Sequence, residues 1–511
     1  MWIVTSQEMK QIEARAVEYG HSYEGMMENA GAAAASYIRQ TLGVENRRCV
    51  CICGSGNNGG DGFVVARRLL HKGAQVAVIL ASGAPKTGQA QAMLEQVRAL
   101  DIPVLPWEEQ NQETLATLQA AEILVDAIYG TGFHGALPPL VGALCRQIND
   151  CRGKVVALDI PSGVHGDSGM ADSDSVRADY TIAFDSCKPA HIMKGAVPYC
   201  GEVVLADIGV DPRAREGLGI NLRSTDNNLL VDHLKPKAIT SHKGSNGKLL
   251  NVSGCLRYCG AAILSTTAAL RSGVGYITLA TPRSICAQLA CTIVEATLLP
   301  VEENAAGQMA LSAKDTIYSR LRWVDAVSIG SGLGRGNETF QLVQDLVRRS
   351  TKPMVIDADG INAVAQDINI LKEAKAPIIL TPHLGEMARL TGETIEALQS
   401  APFQSARDFA REYGVVLLLK GPDTVIASPT GEMLVNQTGN PGLAKAGSGD
   451  VLTGIIASLL AQGISPFYSA ACGAYLHGAA ADAAAEELSC YAMQPTDVIR
   501  HLSQVFLSLG L

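Results

Sequence analysis

Short, continuously apolar runs separated by longer stretches of mixed character recur along the chain. This alternation predicts strands buried on both faces, with helices between them. In the first half the strands fall at Cys49–Cys53, Gln75–Leu80, Ile123–Asp126, Val155–Leu158, Tyr180–Phe184 and Glu202–Leu205, with helices over Gly62–His71, Thr87–Leu100 and Pro138–Ile148. In the second half strands are expected at Lys248–Val252, Tyr276–Ala280, Ala326–Ile329, Met354–Ile356, Ile378–Leu380 and Val415–Leu419, with a helix over Gly260–Arg271. Between the halves, around Val210–Pro236, the pattern gives way to charges, Gly and Asn, which marks a linker. The reading is α/β, with one parallel sheet in each of two domains. Ligands of such sheets collect in the loops at the carboxyl ends of the strands, so two sites are expected.

Composition narrows the setting. A chain of 511 residues is too long for one hydrophobic core. A net charge of −9 with no basic run argues against nucleic acid as a partner. No apolar stretch approaches the ~20 residues of a membrane span. Glu8, Glu13 and Glu18 stand where a secretory leader would need an apolar core. The thirteen cysteines include no Cys-x-x-Cys pair, and Cys49, Cys51 and Cys53 share one face of a strand as small hydrophobes. A reduced, cytoplasmic protein is expected. The small-residue stretches Ala32–Ala35 and Ala479–Ala485 suit close helix packing, and a homo-oligomer is expected.

The chemistry concentrates in loops. Ala446-Gly447-Ser448-Gly449-Asp450 precedes the apolar run Val451–Ile456, so glycine-rich backbone N–H groups and a helix N-terminus converge on one anion site beside a carboxylate. Lys420, after an apolar strand, offers a cation to a diphosphate. His383 stands at another strand end, and Gly332 and Gly334 allow close backbone approach. In the first half Gly54–Gly62 satisfies G-x-G-x-x-G, but the following strand ends without the acid a dinucleotide ribose requires. Asn57, Asn58 and Asp61 are also more polar than a backbone-only loop needs. Asp126, Asp159 and Lys188 follow successive strands. The oxygen donors suit a hard cation, and Asp159 suits proton transfer.

Met26-Met27-Glu28-Asn29-Ala30-Gly31, Asn57–Gly62, Asp126–Gly132 and Asp159-Ile160-Pro161-Ser162-Gly163, in that order, resemble the NAD(P)H-hydrate epimerase domain. The resemblance implies a Rossmann-like three-layer sandwich over residues 1–215. Asn57, Asn58, Gly59, Gly60, Asp61, Gly130, Thr131, Gly132, Phe133, His134, Gly135, Ala136 and Asp159 would contact the hydrated dinucleotide (NADHX or NADPHX). Asn58, Asp126 and Ser162 would hold K+, and Asp159 or Lys188 would be the acid/base. His242-Lys243-Gly244, Gly330–Gly334, Asp357–Gly360, Thr381–Glu386, Lys420–Thr424 and Asn440–Asp450 resemble the ADP-dependent NAD(P)H-hydrate dehydratase of ribokinase-like fold, over residues 229–511. Leu384 and Cys259 depart from that pattern. By resemblance, Ala262, Gly332, His383 and Asp450 face the substrate, with Asp450 the acid/base. Lys420, Gly421, Pro422, Asp423, Thr424, Asn440, Gly442, Lys445, Ala446, Gly447, Ser448 and Gly449 face ADP, which Mg2+ could accompany. The two domains in this order imply repair: R and S hydrates are epimerised, and the S form is dehydrated to NADH or NADPH. The competing reading is a small-molecule kinase of the vitamin or sugar class with an N-terminal nucleotide-binding regulatory domain.

Overall fold

In the computed structural model, which describes residues 2–219 and 221–511, the chain forms two compact units, Met1–Ile220 and Asn221–Leu511. The first begins with a short strand, β1 (Trp2–Ile3), where Ile3 bridges Cys187 in parallel. Its sheet contains β2 (Arg48–Cys53), β3 (Gln75–Leu80), β4 (Val104–Pro106), β5 (Ile123–Ala127), β6 (Lys154–Leu158), β7 (Tyr180–Phe184) and β8 (Glu202–Ala206). The order is β4-β3-β2-β5-β6-β7-β8 and every pairing is parallel. The cysteines show why β2 is central. Cys49, Cys51 and Cys53 enter the core on one face of the sheet, while Val50 and Ile52 enter the core on the other. Burying both faces makes a continuous apolar run favourable, at about 0.8 kcal/mol per buried methylene. Met9, Ile38, Phe63 and Met93 cover the first face, and Leu118, Leu144 and Ile148 the second, giving the expected three layers.

The second unit contains β9 (Leu222–Ser224), β10 (Lys248–Val252), β11 (Tyr276–Pro282), β12 (Thr297–Val301), β13 (Ala326–Ile329), β14 (Met354–Ile356), β15 (Ile378–Leu380), β16 (Val416–Leu419), β17 (Val425–Ala427) and β18 (Met433–Val435). Within the unit the order is β9-β18-β17-β16-β15-β14-β13-β10-β11-β12. The pairings from β12 to β16 are parallel, and the β16–β17 and β17–β18 pairs are antiparallel. The stretch read as a linker holds β9, which pairs β18, and the helix Asn227–His233. The helices Ser448–Ala461 and Pro466–Ala492 bury Ile456, Leu460, Ala470 and Ala474 against the sheet core. Both small-residue stretches pack inside their own unit, Ala34 and Ala35 in the first and Ala480, Ala481 and Ala484 in the second. Among the described residues no helix is long and apolar enough to cross a membrane.

Each sheet has one point where successive connections leave in opposite directions. In the first unit it lies between β2 and β5, and in the second between β10 and β13. Crevices open there at the carboxyl ends of the strands, and both sites follow.

Candidate active sites

In the first unit the loop after β2 turns directly into the helix Asn57–Leu70, five residues before the helix start expected from sequence. Gly54 and Gly59 permit this. A Cβ on Gly54 would lie 2.0 Å from the Ile128 carbonyl oxygen, and one on Gly59 would lie 2.0 Å from that of Gly54. A cavity of about 470 Å³ opens above, with Asn57, Asn58, Asp61, Gly130, Thr131, Gly132, Phe133, Asp159 and Lys188 on its walls. Gly59 and Gly60 sit behind the wall, Gly60 against Met27. His134, Gly135 and Ala136 are exposed and outside it.

Asp159 holds a left-handed backbone, φ 63°, which costs a non-glycine residue about 1–2 kcal/mol. Surrounding bonds impose it. The buried Lys188 Nζ donates to Asp159 Oδ1 at 2.6 Å and to the Phe184 carbonyl at 2.8 Å. His191 Nδ1 accepts from the Lys188 amide at 3.0 Å, so its Nε2 carries the proton given to the Asp159 carbonyl at 2.6 Å. Burial, and then the Lys188 charge, lower the His191 pKa to about 4. Its folded value lies below the ordinary 6.5, so the unfolded chain binds more protons between the two. Stability from neutral His191 is therefore complete above pH ~6.5 and is lost as pH falls toward 4, to the extent of about 3 kcal/mol. Urea unfolding at pH 7 and pH 4.5 should show this loss, with His191→Gln reducing the difference between the two midpoints.

Asp126 is fully buried at the end of β5. Ser162 donates its hydroxyl at 2.6 Å and its amide at 2.8 Å, and the Ile128 amide adds a third bond at 3.2 Å. Burial still pushes the carboxyl up to about 6. Asn58 Nδ2 donates to the carbonyls of Tyr129 and Leu158 at 2.9 and 3.3 Å. Asp61 is displaced well above the carboxylate range, first by burial and then by the charges of Asp159 and Glu13.

In the second unit the helix Ser448–Ala461 starts at Gly447, φ 98°, and no side chain caps its first turn. The Ser448 amide donates to the Lys445 carbonyl at 3.3 Å, and among the described residues the Gly449 and Asp450 amides have no backbone partner and are open to an anion. Lys420, at the end of β16, points its ammonium to the same place. A Cβ on Gly449 would lie 3.4 Å from Lys420 Nζ and 3.6 Å from Asp357 Oδ2. Asp357 ties the region together, accepting from Lys420 Nζ at 2.8 Å, Thr381 Oγ1 at 2.8 Å and Thr453 Oγ1 at 2.9 Å. Lys420→Met strands the Asp357 carboxylate in the interior and should destabilise the fold by about 3–5 kcal/mol. Thermal unfolding checks this, and Lys420→Met with Asp357→Asn should regain most of the loss.

Asp450, in the first turn of that helix, lines a cavity of about 810 Å³ with Arg257, Tyr258, Gln308, Gly332, Gly334 and Asp359. Burial, and then the Asp357 charge, raise its pKa to about 6, against the Ser331 hydroxyl and Lys420, which lower it. Other predicted residues have different work. Ala262 is fully buried, and its neighbour Ala261 lines the cavity instead. His383 caps the helix Leu384–Thr391, Nδ1 accepting from the amides of Gly385 and Glu386 at 2.9 and 3.3 Å. Asn440 bonds Asp482 at 2.9 Å, and Lys445 Nζ is spent on the carbonyls of Tyr491 and Met493 at 2.7 and 2.6 Å. Gly421, Pro422, Asp423 and Thr424 form the turn between β16 and β17, and Thr424 donates to the Gly421 carbonyl at 3.3 Å.

Residues 23–190 match the family described as YjeF-related protein N-terminus, and residues 249–504 match NAD(P)H-hydrate dehydratase. Over the whole chain, the bifunctional NAD(P)H-hydrate repair enzyme of Moorella thermoacetica is 40% identical, covering 100% of this chain and 97% of its own. The chain belongs to the bifunctional NAD(P)H-hydrate repair enzyme family. The repair enzyme of Thermofilum pendens is 38% identical over 95% of this chain and 93% of its own. That of Escherichia coli is 33% identical over 94% and 89%. A crystal structure of the ADP/ATP-dependent NAD(P)H-hydrate dehydratase of Bacillus subtilis, co-crystallised with ATP and Mg2+, is 28% identical. It covers 57% of this chain and 99% of its own, with a TM-score of 0.49.

In this repair enzyme the epimerase-related match falls in the first unit and the dehydratase match in the second. Several wall residues carried no sequence signal, including Lys10, Glu13 and Tyr23 in the first site and Arg257, Asn304 and Gln308 in the second. None belongs to a compact motif, and only the fold brings them to the crevices.

Proposed function

We propose that the first domain, residues 1–215, interconverts the R and S hydrates of NADH and NADPH, and that the second, residues 229–511, dehydrates the S hydrate with ADP bound. One observation carries this reading. Asp450 stands between a cavity large enough for a nicotinamide nucleotide and the anion site formed by Lys420 and the uncapped helix start.

In the hydrate a hydroxyl occupies C6 of the ring. The N1 lone pair assists its departure, and C5 must then lose a proton to restore the 5,6 double bond. Asp450 is placed to take that proton, and a pKa near 6 leaves it ionised at neutral pH. Lys420 and the Gly449 and Asp450 amides would hold the ADP diphosphate. Among the described residues no cluster of three metal-binding side chains occurs, so Mg2+ would arrive on the phosphates.

In the first domain Asp159, held by Lys188, would accept and return the proton that epimerisation moves. K+ fits beside Asn58, Asp126 and Ser162, because a buried carboxylate raised to about 6 gains from an adjacent cation. We place the enzyme in the cytoplasm, where its thirteen free cysteines stay reduced. We also assign it a homo-oligomeric state, the commonest arrangement of soluble enzymes.

The test is recovery of NADH absorbance from mixed R and S NADHX with ADP, ATP or no nucleotide. Full, nucleotide-dependent recovery is expected. Recovery that stops at the S share removes the epimerase assignment. ATP consumption with an alcohol acceptor and no recovery supports the kinase alternative.

A further inference from the structure

The first unit carries a carboxyl group that none of these roles uses. Glu13 lies on the helix Ser6–Glu18, one turn beyond Met9, and with Met9 and Lys10 it forms a wall of the cavity that also holds Asp61, Asp159 and Lys188. The strand-end turns supply Asp159 and Lys188, so two separate parts of the fold place acids around one space. Glu13 is half-buried, and no hydrogen bond or ion pair among the described residues holds its carboxyl. A half-buried, unpaired carboxyl facing a cavity has no structural partner to account for it.

We propose that Glu13 is the proton donor of the epimerase, working with Asp159 as the acceptor. The inference rests on the first unit being the epimerase and adds a residue to it. Inverting C6 through a ring-opened form needs both roles. The acceptor takes the C6 hydroxyl proton, the C6–N1 bond breaks with its electron pair moving to N1, and the donor protonates N1. C6 becomes an aldehyde carbon. After rotation about C5–C6, N1 attacks the other face of the aldehyde. N1 returns its proton to the donor, the acceptor returns its own to the oxygen, and nothing is gained or lost overall.

Asp159 is committed to Lys188 at 2.6 Å, which suits an acceptor. Glu13 is raised from the carboxylate range first by burial and then by the Asp159 charge, with Asp185 adding to this and Lys188 and Lys10 opposing it. Arg215 pairs with Asp185 and spends part of its charge there. Asp61, on the helix Asn57–Leu70, is also raised, and is the rival donor.

The experiment follows R-to-S interconversion of NADHX chromatographically, without nucleotide, across pH, for the full-length wild type and for Glu13→Gln, Glu13→Asp and Asp61→Asn. Thermal unfolding and far-UV circular dichroism of each preparation report whether the first unit is folded, and dehydration of pure S-NADHX with ADP reports on the second. Glu13→Gln should slow interconversion about 100-fold and remove the decline that the wild type shows as pH rises. Glu13→Asp should restore part of the rate together with that decline. Interconversion by Glu13→Gln within about threefold of wild type, or loss of the decline only in Asp61→Asn, overturns the proposal. A wild type that dehydrates S-NADHX yet never converts R overturns the epimerase reading beneath it.

Discussion

Asp450→Asn should abolish dehydration of the S hydrate, lowering kcat/KM by about 10²–10⁴-fold, the range general-base removal commands. Asn preserves the shape of the side chain and removes only the capacity to accept a proton. It also removes a negative charge that Asp357 and Asp359 oppose, so the melting temperature should hold or rise. ADP should bind at least as tightly, since an anion beside the diphosphate has gone. Below pH ~6 the wild-type rate should fall as Asp450 takes up a proton, because the base acts only when ionised. The residual rate of Asp450→Asn should lack that decline. Residual activity within tenfold of wild type, with the decline intact, would assign the base elsewhere.

Asp159→Asn should leave the R hydrate untouched while S is still repaired, so recovery from mixed hydrates stops at the S share. The expected loss in interconversion is again about 10²–10⁴-fold. Asn is the right replacement because, like Asp, it tolerates the left-handed backbone that Ala would strain. The substitution leaves Lys188 as a buried cation without its partner, worth about 3–5 kcal/mol of destabilisation. The double change Asp159→Asn, Lys188→Met removes that cost. If the double variant folds as wild type and still interconverts the hydrates, Asp159 is structural.

The strands were legible because burial on both faces demands unbroken apolar runs, and β3, β7, β10, β13, β14 and β15 fall where those runs predict. Three-residue strands were legible only in part. β14 and β15 stand out as apolar runs, whereas β4 is a partly exposed edge strand that ends in Pro106, β17 and β18 lie among closely spaced Gly, Pro, Asp and Asn, and β9 hides in a charged stretch because only its pairing with β18 makes it a strand. The helix at Asn57 was misplaced because Gly, Asn and Asp favour loops locally, while close contact with Ile128 winds them into a turn. Lys445 was expected, by resemblance, to face ADP. Its carbonyl partners lie nearly fifty positions on, and spacing does not reveal them. Asp450, Lys420 and Asp159 were readable because each directly follows or opens a regular element.

The bonds that converge on Asp357 bear on how quickly a nucleotide is captured. Loops that follow three neighbouring strands and one helix meet at a single carboxylate, so Lys420 and the helix start are held in place by the same group. On the proposed assignment of ADP to this site, a nucleotide would meet groups already in place, with little backbone or side-chain freedom left to quench. Association should follow one exponential phase that rises linearly with ADP concentration. Turnover would then be limited by the proton chemistry or by release of NADH, with no slow closing step ahead of it.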